Sequence, residues 1–490
     1  MKAKSDKLEY VLLVLIAILP TIIITLNLDS DFWFLYNHGN YVVNNGFPNI
    51  EPFTIHNGLS FVMQQWLSSL IFYLIYSWLG KAGVILLIYI VGLVTVFLLY
   101  SLAMIISHQK KYLSVIVSAL VYIVLCMWFV VSRPQVFTYI VMLLELIMLE
   151  KYTANCRWSV VLGLSTLSLL LINLHASMWW MLFAFIIPYL VEGIRINKIS
   201  QLCDRYKVLP LLVACVTMFA AGFVNPYGYK LVGYIFSSYG NEQINSSIEE
   251  MSAPDIKSLS GAVFFFICFA VVLVYILNKT GKTKVRYICL ALGTTLLALM
   301  SIKSMPYFLF ATVIPLVAYL ENQADKLCFK FPEKKGKLLK LTVLCFLLCI
   351  CFVSGYIKVA DYSPKADYPA AKSAIEKLGQ DENKEQYRVY TSFVNGAYAE
   401  TNGLKTYIDA RAEVFLKSNN GKEDIFAEYI SLEMGDLHYK TFLDKYNFSH
   451  VIVTNGETLD IYLSEDDDYS VLYEDTYSRI YIKDSQESKL

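Results

Sequence analysis

The chain has 490 residues, of which 56% are apolar, 15% aromatic and only 17% charged, and its formal net charge is zero. A soluble chain carries about 25% charged residues, and the deficit here is gathered into long apolar runs. These bounds exclude a nucleic-acid binder and a soluble metabolic enzyme, and they point to a polytopic membrane protein.

In chain order the apolar runs are Tyr10–Leu26, Ala82–Ser107, Tyr112–Val131, Pro134–Leu149, Trp158–Ile172, Met178–Ile194, Val208–Val224, Ala262–Leu277, Tyr287–Ile302, Met305–Leu320 and Leu341–Ile357. A span needs about 20 residues, so these predict eleven transmembrane helices. The first run follows Lys2, Lys4 and Lys7 and lacks a small-residue cleavage site, so it reads as a retained signal anchor. Trp66–Leu79 is also apolar but short. If it lies on the membrane surface, the loops on the N-terminal side carry 21 Lys+Arg and the opposite loops five. If it spans, the two counts become 8 and 18. Positive charge is retained in the cytoplasm. Trp66–Leu79 is therefore read as an interfacial helix, the N-terminus as cytoplasmic and the C-terminal tail as extracytoplasmic, in a multi-pass protein of the plasma membrane.

Charge also divides the chain. Residues 1–358 hold 27 Lys+Arg against 16 Asp+Glu, and residues 359–490 hold 14 against 25. A basic membrane module, 1–358, is thus expected to precede an acidic extracytoplasmic α/β domain, 359–490. All ten Cys lie between Cys126 and Cys351, with no Cys-x-x-Cys pair. In the tail, Tyr368–Leu378 and Leu437–Tyr446 read as helices. Arg388–Thr391, Thr406–Ile408, His450–Thr454, Val471–Tyr473 and Arg479–Ile482 read as short strands, punctuated by Gly396 and Gly403. Glu465-Asp466-Asp467-Asp468 reads as a solvated turn.

The predicted outer face collects the polar residues. Its two long loops are 27–81 and 225–261. The first contains Asp29, Asp31 and Glu51 and no cation before Lys81. Asp29 and Asp31 stand at the exit of the first run, before Phe32, Trp33 and Phe34, aromatics suited to the interface. A carboxylate there can take a proton from a nucleophile or ligate a divalent cation; the plain alternative is a hydrated loop. Arg133 and Gln135 flank Pro134, Asn173 and His175 end one run, and Asn225-Pro226-Tyr227-Gly228 ends another. Glu249 and Glu250 lie in the second long loop, and Lys303 separates two runs. Ionisable groups beside a bilayer are costly unless they face a cavity or a partner, so their common side suggests a polar cavity opening outward. Snorkelling to lipid phosphate is the plain reading of Arg133 and Lys303.

Several segments resemble one superfamily in order. Asp29-Ser30-Asp31-Phe32-Trp33 through Gly46, then Pro48, Glu51-Pro52-Phe53-Thr54 and Gln64-Gln65-Trp66-Leu67, resemble the first outer loop of bacterial GT-C glycosyltransferases. Ser132-Arg133-Pro134-Gln135, Asn173-Leu174-His175, Asn225-Pro226-Tyr227-Gly228 and Tyr407-Ile408-Asp409-Ala410-Arg411 resemble landmarks of one poorly characterised branch. The resemblance implies an inverting transferase using a polyprenyl-phosphate-linked sugar on the outer face, with a glycan, lipid or protein acceptor. It implies an acid of the first loop as base or metal ligand, with Mg or Mn as the candidate ion. The family acid precedes a Gly by fifteen residues, as Asp31 precedes Gly46, which favours Asp31 over Asp29. Candidate substrate-binding residues are Arg133, Gln64, Gln65, Asn173, His175, Glu249, Glu250 and Lys303. The sequence departs from the pattern at Phe32, where the family has Glu, at Gln64-Gln65, where the branch often has His-Glu, and at Arg133, where better-studied relatives carry an acid. A non-catalytic scaffold of cell-envelope glycan assembly is therefore a second reading. A lipid-linked sugar flippase is a third, disfavoured by the almost bare interiors of the runs.

Overall fold

The computed structural model describes residues 19–24, 26–194, 206–238, 244, 248–277, 284–320, 349–350, 353–356 and 369–484. Most of the runs Tyr10–Leu26 and Leu341–Ile357 lies outside the described residues, as does the basic stretch Lys326–Lys340. The helices are α1 Phe32–Asn45, α2 Trp66–Ile106, α3 Lys111–Trp128, α4 Gln135–Asn155, α5 Ser159–Leu174, α6 Trp180–Gly193, α7 Leu209–Ala221 and α8 Tyr229–Ser238. They continue with α9 Leu259–Leu277, α10 Val285–Met300 and α11 Ile302–Leu320. In the tail follow α12 Lys372–Gly379, α13 Phe393–Thr401, α14 Ile425–Glu433, α15 Tyr439–Tyr446 and α16 Thr458–Ser464. The chain forms two compact units.

The first unit holds residues 85–225 and 248–362. Among the described residues, four helices are long and apolar enough to cross a membrane: Trp66–Ile106, Ala176–Gly193, Leu259–Leu277 and Ile302–Leu320. Shorter apolar helices cover Leu113–Trp128, Ser159–Leu174, Leu209–Ala221 and Val285–Met300. In α9, Phe266, Phe269 and Ile276 are exposed. A helix apolar on every side needs an apolar surrounding. Arg286 at the start of α10 is buried among acids of two other helices. It donates to both oxygens of Glu150 in α4 (2.8 and 2.9 Å) and to Glu192 in α6 (2.6 Å), and Tyr189 also donates to Glu150 (2.9 Å). A buried cation tolerates this site because each fork of the guanidinium meets a carboxylate.

The second unit joins residues 27–84, 226–247 and 363–490. Its sheet has the order β2-β1-β3-β5-β4, with β1 Arg388–Thr391, β2 Lys405–Thr406, β3 His450–Thr454, β4 Tyr469–Glu474 and β5 Ser478–Lys483. β1 pairs in parallel with β2 and β3, while β5 is antiparallel to β3 and β4. β1 and β3 are almost wholly buried, as parallel strands covered on both faces must be. The edge strand β2 is not left bare. Thr54 of the first loop bridges Thr406 in parallel, and the Ile55 N–H donates to the Thr406 carbonyl at 2.8 Å. The loop thus continues the sheet and occupies its edge.

Two close approaches fix α1 and α13. Asn37 of α1 donates to the Ala397 carbonyl and accepts from Thr401, both at 2.9 Å, and Trp33 meets Tyr398 edge-on at 4.9 Å. Gly396 lies inside α13 and does not punctuate it as the sequence suggested: a Cβ there would stand 2.0 Å from the Ile408 carbonyl, so glycine serves helix packing. On the other side of α1, a Cβ at Gly39 would lie 2.4 Å from the Ser69 carbonyl and from Tyr73. Gly39→Ala is therefore expected to cost about 1–3 kcal/mol by overpacking. Thermal unfolding of the purified protein checks this, and an unchanged midpoint would refute the contact.

Candidate functional site

In the second unit, Asp29 and Asp31 frame the entry to α1. The Asp31 N–H donates to Asp29 Oδ1 at 3.0 Å, and the Phe32 N–H donates to the Asp29 carbonyl at 3.0 Å. Asp29 therefore folds the chain into the turn that starts the helix. Asp31 occupies the N-cap position, yet its side chain makes no capping hydrogen bond. Both acids are half-buried. Phe32 is fully buried against Phe72 and Tyr76, with ring centroids 6.1 and 5.2 Å away. Position 32 thus faces the packed interior, and the Phe there serves as an anchor for the helix carrying Asp31.

The same unit contains a buried ionic cluster around Arg411. Its guanidinium donates to Asp409 through Nε and Nη2, to Glu51 Oε1 at 2.9 Å, and approaches Glu400 at 3.9 Å. His38 Nε2 lies 3.3 Å from Nη1. Glu51 also accepts from the Phe53 N–H, the Thr54 N–H and the Thr54 hydroxyl at 3.0, 2.9 and 2.6 Å. Burial, and then the Arg411 charge, push the pKa of His38 well below its usual value, so the imidazole is neutral. Burial and the Asp409 charge raise Glu400 well above the usual carboxylate range. Burial disfavours the Arg411 cation, but Asp409 and Glu51 outweigh it and hold the charge in place. Gln64 is buried, and its amide donates to Glu413 at 3.2 Å. Gln65 is half-buried. The Glu51 and Tyr407–Arg411 landmarks are therefore the two halves of one fastening between the first loop and the tail.

In the first unit three expected residues come together. Arg133 Nη1 lies 2.6 Å from Glu250 Oε2, and Lys303 Nζ lies 3.7 Å from the same oxygen. Arg133 precedes Pro134, whose ring fixes φ at the entry to α4. Glu250 belongs to the single turn Glu249–Met251. That turn is docked by Ser301, which donates to the Glu250 carbonyl at 3.2 Å, and by the Ile302 N–H, which donates to the Ser252 carbonyl at 3.0 Å. Burial opposes ionisation of Glu250, but the Arg133 and Lys303 charges prevail and hold its pKa below the usual range. Asn173 caps α5 by donating to the carbonyls of Leu169 and Val224 at 2.8 and 3.0 Å, a structural use. His175 Nδ1 pairs with the Thr138 hydroxyl of α4 at 2.7 Å.

Among the described residues, no group of three or more His, Cys, Asp and Glu is gathered as a metal site. Two aspartates are too few for a closed zinc cage. They match the donor set that holds Mg or Mn when substrate phosphate and water complete the shell.

No family model matches the chain, and no curated protein matches it by sequence. Solved structures do. The apo oligosaccharyltransferase of Archaeoglobus fulgidus superposes with a TM-score of 0.60 at 10% identity, over 90% of this chain and 69% of that one. The enzyme in complex with an inhibitory peptide and a dolichol-phosphate, there named AglB, gives 0.56 at 10% identity over 92% and 70%; it has also been solved with Zn and sulfate. ArnT from Cupriavidus metallidurans, bound to undecaprenyl phosphate, gives 0.53 at 9% identity over 98% of both chains. The chain shares the fold of these structures.

Sequence reasoning missed Thr138, the Glu150–Arg286–Glu192 cluster and the structural role of Arg411. In the sequence Arg286 is one more cation at the edge of an apolar run. The Arg411 cluster has a signal in the Asp409-Ala410-Arg411 landmark, but its partner Glu51 lies 360 residues away.

Proposed function

We propose that this protein is an integral membrane glycosyltransferase that moves a sugar from a polyprenyl-phosphate donor to an acceptor hydroxyl on the outer face of the plasma membrane. The observation that carries this reading is the GT-C fold shared along almost the whole chain with an enzyme bound to undecaprenyl phosphate. The loop charge bias supports eleven spans, a cytoplasmic N-terminus and an extracytoplasmic tail. Asp31 accepts the proton of the acceptor hydroxyl. The acceptor oxygen bonds to the anomeric carbon as the bond from that carbon to the phosphate oxygen breaks, with inversion. Polyprenyl phosphate departs with the bonding electrons. Arg133 and Lys303 neutralise the phosphate. As the alternative to its role as base, Asp31 together with Asp29 would hold a divalent ion, which would supply further neutralisation of phosphate charge. Gln65, His175 and Glu249 are candidates for contacting the sugar or acceptor.

The scaffold reading is favoured by one observation: Gln64, where the branch often has His, pairs with the neighbouring Glu413 side chain. The two are separated by incubating purified protein with a panel of polyprenyl-phosphate sugars and glycan, lipid and peptide acceptors. Consumption of a lipid-linked sugar with formation of a glycosylated acceptor is the expected result. No turnover across the panel by folded protein would leave the scaffold reading standing.

A further inference from the structure

The two cations assigned to phosphate already hold an anion. One carboxylate oxygen of Glu250 faces both Arg133 and Lys303, at 2.6 and 3.7 Å. Glu250 is also the exposed member of the set: its side chain is 51% accessible, against 12% for Arg133 and 30% for Lys303. Its turn is tied by hydrogen bonds at the Glu250 and Ser252 carbonyls, so the carboxylate can leave the cations without unfolding the turn. Charge accounting gives the exchange a direction. A polyprenyl-phosphate sugar is a phosphodiester with one negative charge. Its leaving group, a phosphomonoester, carries about 1.5–2.

We propose that Glu250 is a resident stand-in for phosphate, displaced from Arg133 and Lys303 when the donor binds and returning to them when the product leaves. This deepens the reading above and rests on its assignment of Arg133 and Lys303 to phosphate. While displaced, Glu250 leaves both cations to face a leaving group whose charge grows from one toward two, so the pair favours the departing phosphate over the bound donor. On return, the carboxylate competes for the same cations and lowers the affinity for the spent lipid. Without it, polyprenyl phosphate would be held more tightly.

The test measures binding of undecaprenyl phosphate to full-length protein in detergent, for wild type, Glu250→Gln, Glu250→Ala and Arg133→Ala, with thermal unfolding as a control for folding. Removing the competing charge should tighten binding in both Glu250 variants by about ten- to a hundredfold, the range of a charge-assisted hydrogen bond. Arg133→Ala should weaken it by a similar factor. Weakening by Arg133→Ala with unchanged or weaker binding in both folded Glu250 variants would overturn the stand-in role and keep the phosphate assignment. Unchanged binding in Arg133→Ala would overturn the phosphate assignment and the stand-in role together.

Discussion

Asp31→Asn is expected to lower turnover by about 10²–10⁴-fold, the usual contribution of a general base. The amide keeps the shape of the side chain but cannot accept the hydroxyl proton. Thermal unfolding of the variant checks that the helix entered at Asp31 stays intact. Binding of undecaprenyl phosphate should stay near wild type, because the phosphate is assigned to Arg133 and Lys303. Asp29 supplies the control. Its Oδ1 accepts the Asp31 N–H, and an Asn oxygen can do the same, so Asp29→Asn should preserve the turn. Transfer assays on the purified variants decide between them. Full activity in Asp31→Asn with a collapse in Asp29→Asn would move the base to Asp29.

Arg411→Met should be the most destabilising single change outside the membrane helices. It removes the one guanidinium that binds Asp409 and Glu51, and it strands those acids in a site where Arg411 is 1% exposed. Breaking a buried ion pair by removing one partner costs about 3–5 kcal/mol. For a unit of this size that corresponds to a fall of about 6–20 °C in the unfolding midpoint. Adding Glu51→Gln should recover part of the loss, since it removes one stranded charge. Arg411→Lys should recover little, because an ammonium cannot span Asp409 and Glu51 with a planar fork. Limited proteolysis of the second unit, followed with temperature, provides the measurement. A midpoint unaffected by Arg411→Met would show that the cluster contributes nothing to holding the loop.

The parts legible in the sequence are those set by local pattern. The short apolar run ends at Leu79, and the structure breaks the helix at Gly80, whose φ of 62° and ψ of −158° are non-helical. Strands were readable at Arg388–Thr391 and His450–Thr454 because β-branched and aromatic residues cluster there. Helix Lys372–Gly379 begins four residues after the predicted start at Tyr368. Helices Phe393–Thr401, Ile425–Glu433 and Thr458–Ser464 were not read: Gly396 looked like a break, and the other two are short. At the candidate site, Arg133 and Lys303 stand out from their place at the ends of apolar runs, and Glu250 from its place in the second long loop. That both cations share one carboxylate oxygen is a fact of tertiary geometry, which no spacing encodes. The same holds for Glu51. An acid in a polar loop looks solvated until the Arg from the far end of the chain is placed beside it.

The fastening of Glu51 by Arg411 also sets a clock for biosynthesis. The two residues are 360 positions apart, and at about 5–20 residues per second the ribosome needs roughly 20–70 s to deliver the second after the first. During that interval the segment around Glu51 has neither its guanidinium nor the sheet edge it joins at Thr406. The helix bearing Asp31 likewise lacks the Ala397 and Thr401 contacts that grip Asn37. The entry to α1 therefore matures late although its residues are made early, and a nascent chain stalled before residue 411 would present the loop unfastened.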